Sequence, residues 1–183
     1  MSNVYVIFAE GFEEIEGLTV VDILRRADVE VRMAGLHAKE KVTGAHGIGV
    51  CMDIALADVN LEEADAIVLP GGMPGTKHLA ESEALSKILR QADDRKLHLA
   101  AICAAPSVLG GLGLLKGKRA VCYPGFEEKL TGADVGVEAV VTDGNITTSR
   151  GMGTAIDFAL ELVAILKGEN RAREVAGSIL YRK

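Results

Sequence analysis

"LHLAAICAAPSVLGGLG" (residues 97–113) changes character at its middle. The first part, "LHLAAI" (97–102), is a short apolar run of the kind that forms a buried strand. The continuation "AAPSVLGGLGLL" (104–115) is rich in Ala and Leu and predicts a helix despite its glycines. Cys103 stands at the junction, so its thiol is either one more small apolar group in a core or a nucleophile held out at a sharp turn.

Outward from that junction the same alternation repeats. "VYVIFA" (4–9) predicts a strand, "EEIEGLTVVDILRRA" (13–27) a helix, and "VEVRMAGL" (29–36) a second strand. "KVTGAHGIGVCMD" (41–53) reads as a glycine-broken β excursion, and "ADAIVLP" (64–70) as a buried strand. A helix is expected over 82–95 with Ser82 as its cap. Further β segments follow at 118–123 and 138–149, and helices at 153–168 and 170–183 close the chain. Continuous apolar strands alternating with helices indicate a mainly parallel sheet covered on both faces. The expected fold is one flavodoxin-like α/β domain over 1–183, a three-layer sandwich with a nucleophile elbow. In such sheets ligands bind outside the carboxyl ends of the strands. Those ends carry "EGFEEIE" (10–16), "LPGGMPG" (69–75) and Cys103, which meet if their strands are neighbours.

The chain has 183 residues, with 49% hydrophobic and 25% charged residues, a globular balance. Its net charge of -6 argues against specific nucleic-acid binding. The six-residue apolar N-terminal stretch runs straight into acidic residues without a cleavage pattern, so no secretory signal is expected. No apolar run approaches the roughly 20 residues of a membrane span. Three cysteines without CxxC spacing form no disulfide framework, which favours a reducing cytoplasm.

At a strand-to-helix elbow, Cys103 gains from the positive end of a helix dipole, which lowers a thiol pKa, and from nearby free backbone N–H groups. Cys51 and Cys122 lie in apolar β segments and read as packing residues. Glu16 falls within the apolar arc of Val20, Ile23, Leu24 and Ala27, where a carboxylate is costly unless paired or protonated. Glu13 shares that arc if the helix has begun by then, whereas Glu14 reads as solvated. "LPGGMPG" lacks the GxGxxG and Walker patterns; facing a thiol, it offers Gly72 as an oxyanion donor. His37, His46, His78 and His98 read as surface residues, and without HxxxH-type spacing no metal site is expected. Arg150, in the loop opening the helix at 153–168, is a candidate for anion or partner-chain binding.

Four segments in order and spacing, "AEGFEEIEGLTVVDILRRA", "VLPGGMPG", "AAICAAP" and "TSRGMGTAIDFAL", make the whole chain resemble the ThiJ/PfpI superfamily, in the branch of the Parkinsonism-associated deglycase. The resemblance implies a flavodoxin-like homodimer without cofactor. It casts Cys103 as elbow nucleophile, Glu16 as the protonated acid bonded to it, and the N–H groups of Gly72 and Ala104 as oxyanion donors. Gly71, Tyr123, Arg150, Gly151 and Met152 would line the pocket or dimer interface, the last three in a loop approaching the site across that interface. Many members place a histidine after the strand at 118–122; here Tyr123 stands there, and a phenol, titrating near pH 10, is a poor base. His46 stands where the branch has an anion-binding arginine.

The leading expectation is a cytoplasmic enzyme acting on reactive carbonyls such as methylglyoxal, or on glycated protein or nucleotide, through Cys103 and Glu16. The alternative is an oxidative-stress sensor or holdase in which Cys103 is oxidised to sulfinate and the dimer binds unfolded clients. A peptidase is disfavoured because no Cys–His dyad is evident.

Overall fold

The computed structural model describes residues 2–37 and 40–181. The chain opens with β1 (Asn3–Phe8), α1 (Glu14–Arg26) and β2 (Glu30–Gly35). A hairpin of β3 (Lys41–Thr43) and β4 (Gly49–Cys51) and the short β5 (Ile54–Ala55) follow. Next come β6 (Ala66–Leu69), α2 (Gly75–Glu81), α3 (Glu83–Asp94), β7 (His98–Ile102) and α4 (Pro106–Gly111). The two-residue strands β8 (Arg119–Ala120) and β9 (Asp134–Val135) precede β10 (Val140–Asp143), β11 (Ile146–Ser149), α5 (Ala155–Lys167) and α6 (Glu169–Ser178).

Seven strands form one sheet in the order β10-β11-β7-β6-β1-β2-β5. Every neighbouring pair is parallel except β10 and β11, which make an antiparallel edge hairpin. The run β2-β1-β6-β7-β11 is the flavodoxin-like order, in which the chain reverses direction across the sheet beside β1. The expected three-layer sandwich is therefore present, and β1, β6 and β7 are adjacent as their carboxyl-end motifs required.

Side chains alternate between the two faces. Val4, Val6 and Phe8 of β1 join Val68 and Ile102 in the cluster beneath α1 and α5, whereas Tyr5 and Ile7 join Leu69 and Leu99 in the cluster beneath α3 and α4. Burying both faces explains why these strands read as unbroken apolar runs. Ser82 caps α3 through the Leu85 N–H (3.2 Å), as its sequence position predicted.

Several expectations need correction. The helix expected over 104–115 is only the six residues of α4, which closes at Gly111 before Gly113, at φ +78°, turns the chain away. The segment 75–81, left unassigned by its sequence pattern, is helical as α2. The expected strand at 118–123 reduces to β8. The last helix ends at Ser178; Arg182 and Lys183 of the expected span lie outside the described residues. Cys51, expected to pack, is exposed on the β3–β4 hairpin, whereas Cys122 is buried as expected. No described helix is long and apolar enough to cross a membrane.

His98 also departs from the surface role expected of it. Its Nε2 pairs with Thr147 Oγ1 (2.8 Å), which in turn meets Thr142 Oγ1 (2.8 Å), tying β7 to β11 and β10, the two strands of the edge hairpin. Burial pushes its imidazole down to about pH 4. Because the folded pKa lies below the unfolded value near 6.5, the unfolded chain takes up the proton first. Stability is full above about pH 6.5 and falls as pH drops through 4. Thermal unfolding across pH 7 to 4 is expected to show a steeper loss for wild type than for His98→Gln, which lacks the titrating group; parallel curves would contradict the assignment.

Candidate active site

The site begins with backbone strain. Cys103 follows directly on β7 and has φ +65°, the left-handed region that a side chain enters only at a cost of about 1 kcal/mol or more. Two hydrogen bonds fix it there: its N–H donates to Ser149 O (3.0 Å) at the end of β11, and its carbonyl accepts from Tyr123 N–H (2.8 Å). The thiol is thereby turned out of the strand direction at the carboxyl edge of the sheet, which is the geometry of a nucleophile elbow.

The loop after β6 closes on it. A Cβ at Gly71 would lie 2.6 Å from Cys103 Cβ and 2.7 Å from Glu16 Oε2, so only glycine lets thiol and carboxyl meet across that loop. Gly72 has φ +92° and backs onto the main chain of Phe12 and Glu13, again excluding a side chain. The N–H groups of Gly72 and Ala104 both hydrogen-bond to the Cys103 sulfur.

Glu16 lies on α1 and is 1% exposed, as its position in the apolar arc predicted. Oε2 accepts from Gly71 N–H (2.9 Å), while Oε1 is buried without a hydrogen-bond partner. Burial raises this carboxyl to about 7, with the charge of Glu13 adding to the shift and the bonds to Cys103 and Gly71 opposing it. The thiol is likewise pushed up, to about 12, first by burial and then by the charge and hydrogen bond of Glu16. The amides of Ala104 and Gly72 oppose this rise only partly. The expected lowering by a helix dipole fails for a structural reason: α4 starts three residues beyond Cys103, is short, and opens with Pro106, which has no N–H. The resting pair is thus a thiol beside a carboxyl poised near neutrality, and the acid rather than the thiol titrates in the physiological range.

Glu14 is not solvated as expected but 4% exposed, because the β3–β4 hairpin folds over it. Its Oε1 accepts from His46 N–H (2.7 Å) and its Oε2 meets His46 Nδ1 (2.8 Å), with Glu13 Oε2 3.6 Å from the same nitrogen. Burial alone would raise the Glu14 pKa, but the bonds from the His46 ring and from hairpin amides outweigh it and hold the carboxyl below its usual range. The His46 imidazole is raised by its bond to Glu14 and by the charges of Glu13 and Glu14. Among the described residues these three form the one group of three or more whose possible metal-ligand atoms all lie within 4.8 Å of one another. Sequence spacing hid the cluster because His46 is 32 residues from Glu14.

Gly151 also reaches the site. A Cβ there would lie 3.3 Å from Tyr123 Cδ2 and 4.0 Å from Glu16 Oε1, so this loop meets the site of its own chain. Tyr123 and Met152 are half exposed at its mouth. The Arg150 guanidinium makes a long contact to Val137 O (3.4 Å). Cys122, next to Tyr123, packs in the cluster beneath α3 and α4, on the sheet face opposite the one Cys103 packs against.

The raised Glu16 carboxyl has a stability consequence of opposite sign to the usual acid. Its folded pKa of about 7 exceeds the ordinary glutamate value of 4.5, so the folded state holds the proton longer and loses stability as pH rises from about 4.5 to 7. Glu16→Gln lacks this penalty. Relative to wild type, its unfolding free energy is expected to climb by about 3 kcal/mol across that window and to level off above pH 7. A pH-independent difference in denaturant titrations would refute the burial assignment.

A model of the DJ-1/PfpI family matches residues 2–165. Protein DJ-1 homolog B of Arabidopsis thaliana is 41% identical over 183 residues, 98% of this chain but 42% of that longer protein. Glutathione-independent glyoxalase DJR-1.2 of Caenorhabditis elegans is 34% identical over 176 residues, 95% of this chain and 93% of its own length. Among solved structures, Drosophila melanogaster DJ-1beta superposes with a TM-score of 0.96 at 38% identity, both chains fully covered. On the match of the family model to most of the chain and the identity to these relatives, the chain belongs to the DJ-1/PfpI family.

Proposed function

We propose that this protein is a cofactor-independent enzyme that converts 2-oxoaldehydes to 2-hydroxy acids, with Cys103 as nucleophile and Glu16 as the group that moves protons. One observation carries the reading: a strained cysteine, flanked by two amides, faces a buried carboxyl whose pKa lies near 7. A carboxylate poised there is close to the optimum for general base catalysis at neutral pH. The glyoxalase name of the Caenorhabditis elegans relative supports the same reading. Family membership supports a cysteine-dependent enzymatic role.

In this mechanism Cys103 sulfur attacks the aldehyde carbon while Glu16 carboxylate accepts the thiol proton. The N–H groups of Gly72 and Ala104, already directed at the sulfur, hold the oxygen that becomes negative. Glu16 then protonates that oxygen, giving the hemithioacetal and regaining its charge. It removes the C1 hydrogen to give an enediolate, the C1 hydroxyl proton passes to the C2 oxygen, and Glu16 returns its proton to C2, which converts the adduct to a 2-hydroxyacyl thioester. Water hydrolyses the thioester, so methylglyoxal plus one water gives lactate and the free thiol. No histidine is required, and Tyr123 is not asked to act as a base.

Burial and the neighbouring Glu16 both push the Cys103 thiol up, which disfavours its spontaneous ionisation. The same Glu16 carboxylate that hinders spontaneous ionisation assists the thiol when a carbonyl is in place.

Methylglyoxal turnover to lactate is expected to fall at least about 100-fold in Cys103→Ser and in Glu16→Gln, within the range for loss of a nucleophile's base. Wild-type kcat/KM is expected to rise with pH through about 7 as Glu16 ionises. Turnover by wild type no faster than by Cys103→Ser, with buffer-catalysed loss subtracted, would defeat the enzyme reading.

The proposed form is a homodimer. A groove of about 730 Å³ between α1, α6 and the hairpin is lined by Ile15, Leu18, Ile48, Ile156 and Leu180, with Ile15, Ile48 and Leu180 at least half exposed. Exposed apolar surface of this kind is normally covered. Light scattering is expected to give twice the chain mass for wild type and the single mass for Ile15→Asp; a monomeric wild type would contradict the dimer.

A further inference from the structure

Gly151 has φ 161° and ψ -170°, an extended backbone that any residue adopts, so its conformation does not demand glycine. Space does. A Cβ at this position would press on Tyr123 Cδ2 (3.3 Å) and Cε2 (3.7 Å) and reach to 4.0 Å from Glu16 Oε1. The missing side chain lets the Tyr123 ring and the unpartnered carboxylate oxygen of Glu16 approach one point from two sides. The hydrogen bond from Tyr123 N–H to Cys103 O (2.8 Å) then fixes the ring's backbone to that of the thiol. Tyr123 nevertheless remains 51% exposed, and its hydroxyl makes no hydrogen bond among the described residues. What this arrangement offers a ligand is a half-exposed flat aromatic surface that shares the space left by Gly151 with the free Glu16 oxygen, with the phenol oxygen left over.

We propose that Tyr123, seated by Gly151, is a stacking platform that makes the site prefer 2-oxoaldehydes bearing a flat aryl group on the ketone carbon over those bearing a methyl. The inference rests on the proposed enzyme reading for its substrate framework and adds the substituent that framework carries. Offset stacking between two rings stabilises beyond the area buried, and a methyl group cannot reproduce it. Tyr123 acts here as a specificity-determining residue, and the aromatic face rather than the hydroxyl does the selecting.

The test has two arms. In the first, kcat/KM for phenylglyoxal divided by that for methylglyoxal is expected to fall roughly tenfold in Tyr123→Ala and to be kept in Tyr123→Phe. Gly151→Ala, which displaces the ring, is expected to lower the ratio by a smaller factor. The second arm needs no turnover: alkylation of Cys103 by phenacyl bromide and by bromoacetone, followed by peptide mass mapping. Each rate is divided by that of glutathione with the same reagent. In that reaction a sulfur–carbon bond forms, the carbon–bromine bond breaks, bromide leaves and the thiol proton passes to Glu16. A normalised aryl preference that is present in wild type and Tyr123→Phe and lost in Tyr123→Ala supports the platform. Labelling without that preference, or a preference surviving in Tyr123→Ala, overturns it even if both oxoaldehydes are turned over. If labelling shows the Tyr123-dependent preference while neither oxoaldehyde is turned over, the platform stands and the proposed reaction falls. Melting curves of each variant establish that it is folded.

Discussion

The hydrogen bond from Gly71 N–H to Glu16 Oε2 joins the loop after β6 to helix α1, and Cys103 stands against both. It forms inside the protein, where an unmatched carboxylate oxygen would be expensive, and it satisfies only one of the two oxygens of Glu16. The other is left facing the site mouth. Because three segments from distant parts of the chain must arrive within van der Waals contact, the bond demands the sheet order that places β1, β6 and β7 side by side. It equally demands glycine at 71, where any Cβ would collide with both the sulfur-bearing residue and the acid. Fold and chemistry therefore meet in a single packing constraint.

Around that bond the charges are arranged by depth. Glu16, deepest, has a carboxyl raised by burial; Glu14, one helical face away and nearly as buried, is held ionised by hairpin amides and the ring of His46. The difference lies in the partners. Glu16 accepts one amide and leaves an oxygen free, whereas Glu14 has its negative charge answered on both oxygens. Two glutamates two residues apart on one helix consequently do different work, one able to exchange protons near neutral pH and one committed to holding the hairpin.

Much of this was legible in the sequence. The alternation of apolar runs with amphipathic segments identified the sandwich because strands buried on both faces, such as β1, β6 and β7, are built mainly from apolar residues. Glu16 declared itself by standing in an apolar arc, and Cys103 by standing at the change of period. Other features were hidden. Glu14 looked solvated because nothing local reveals that the 44–48 turn folds back over it. The helix after Cys103 looked longer than it is, since Ala and Leu favour helix while the later glycines prefer turns. A lowered thiol pKa was inferred from a helix beginning at Cys103, whereas α4 begins only at Pro106.

The sequence alone determined which residue types were available, their periodicity and the order of the elements, since these depend on local propensity and on how apolar residues repeat. It thereby settled the α/β class, the buried glutamate and the junction cysteine. Only the tertiary structure decided what those groups are next to. The left-handed backbone of Cys103, the unpartnered oxygen of Glu16, the clamp on Glu14 and the approach of Tyr123 to Gly151 all arise between segments far apart in the chain. Desolvation and electrostatics act through space, so the reactivity of the thiol and acid was fixed by neighbours that no local pattern names.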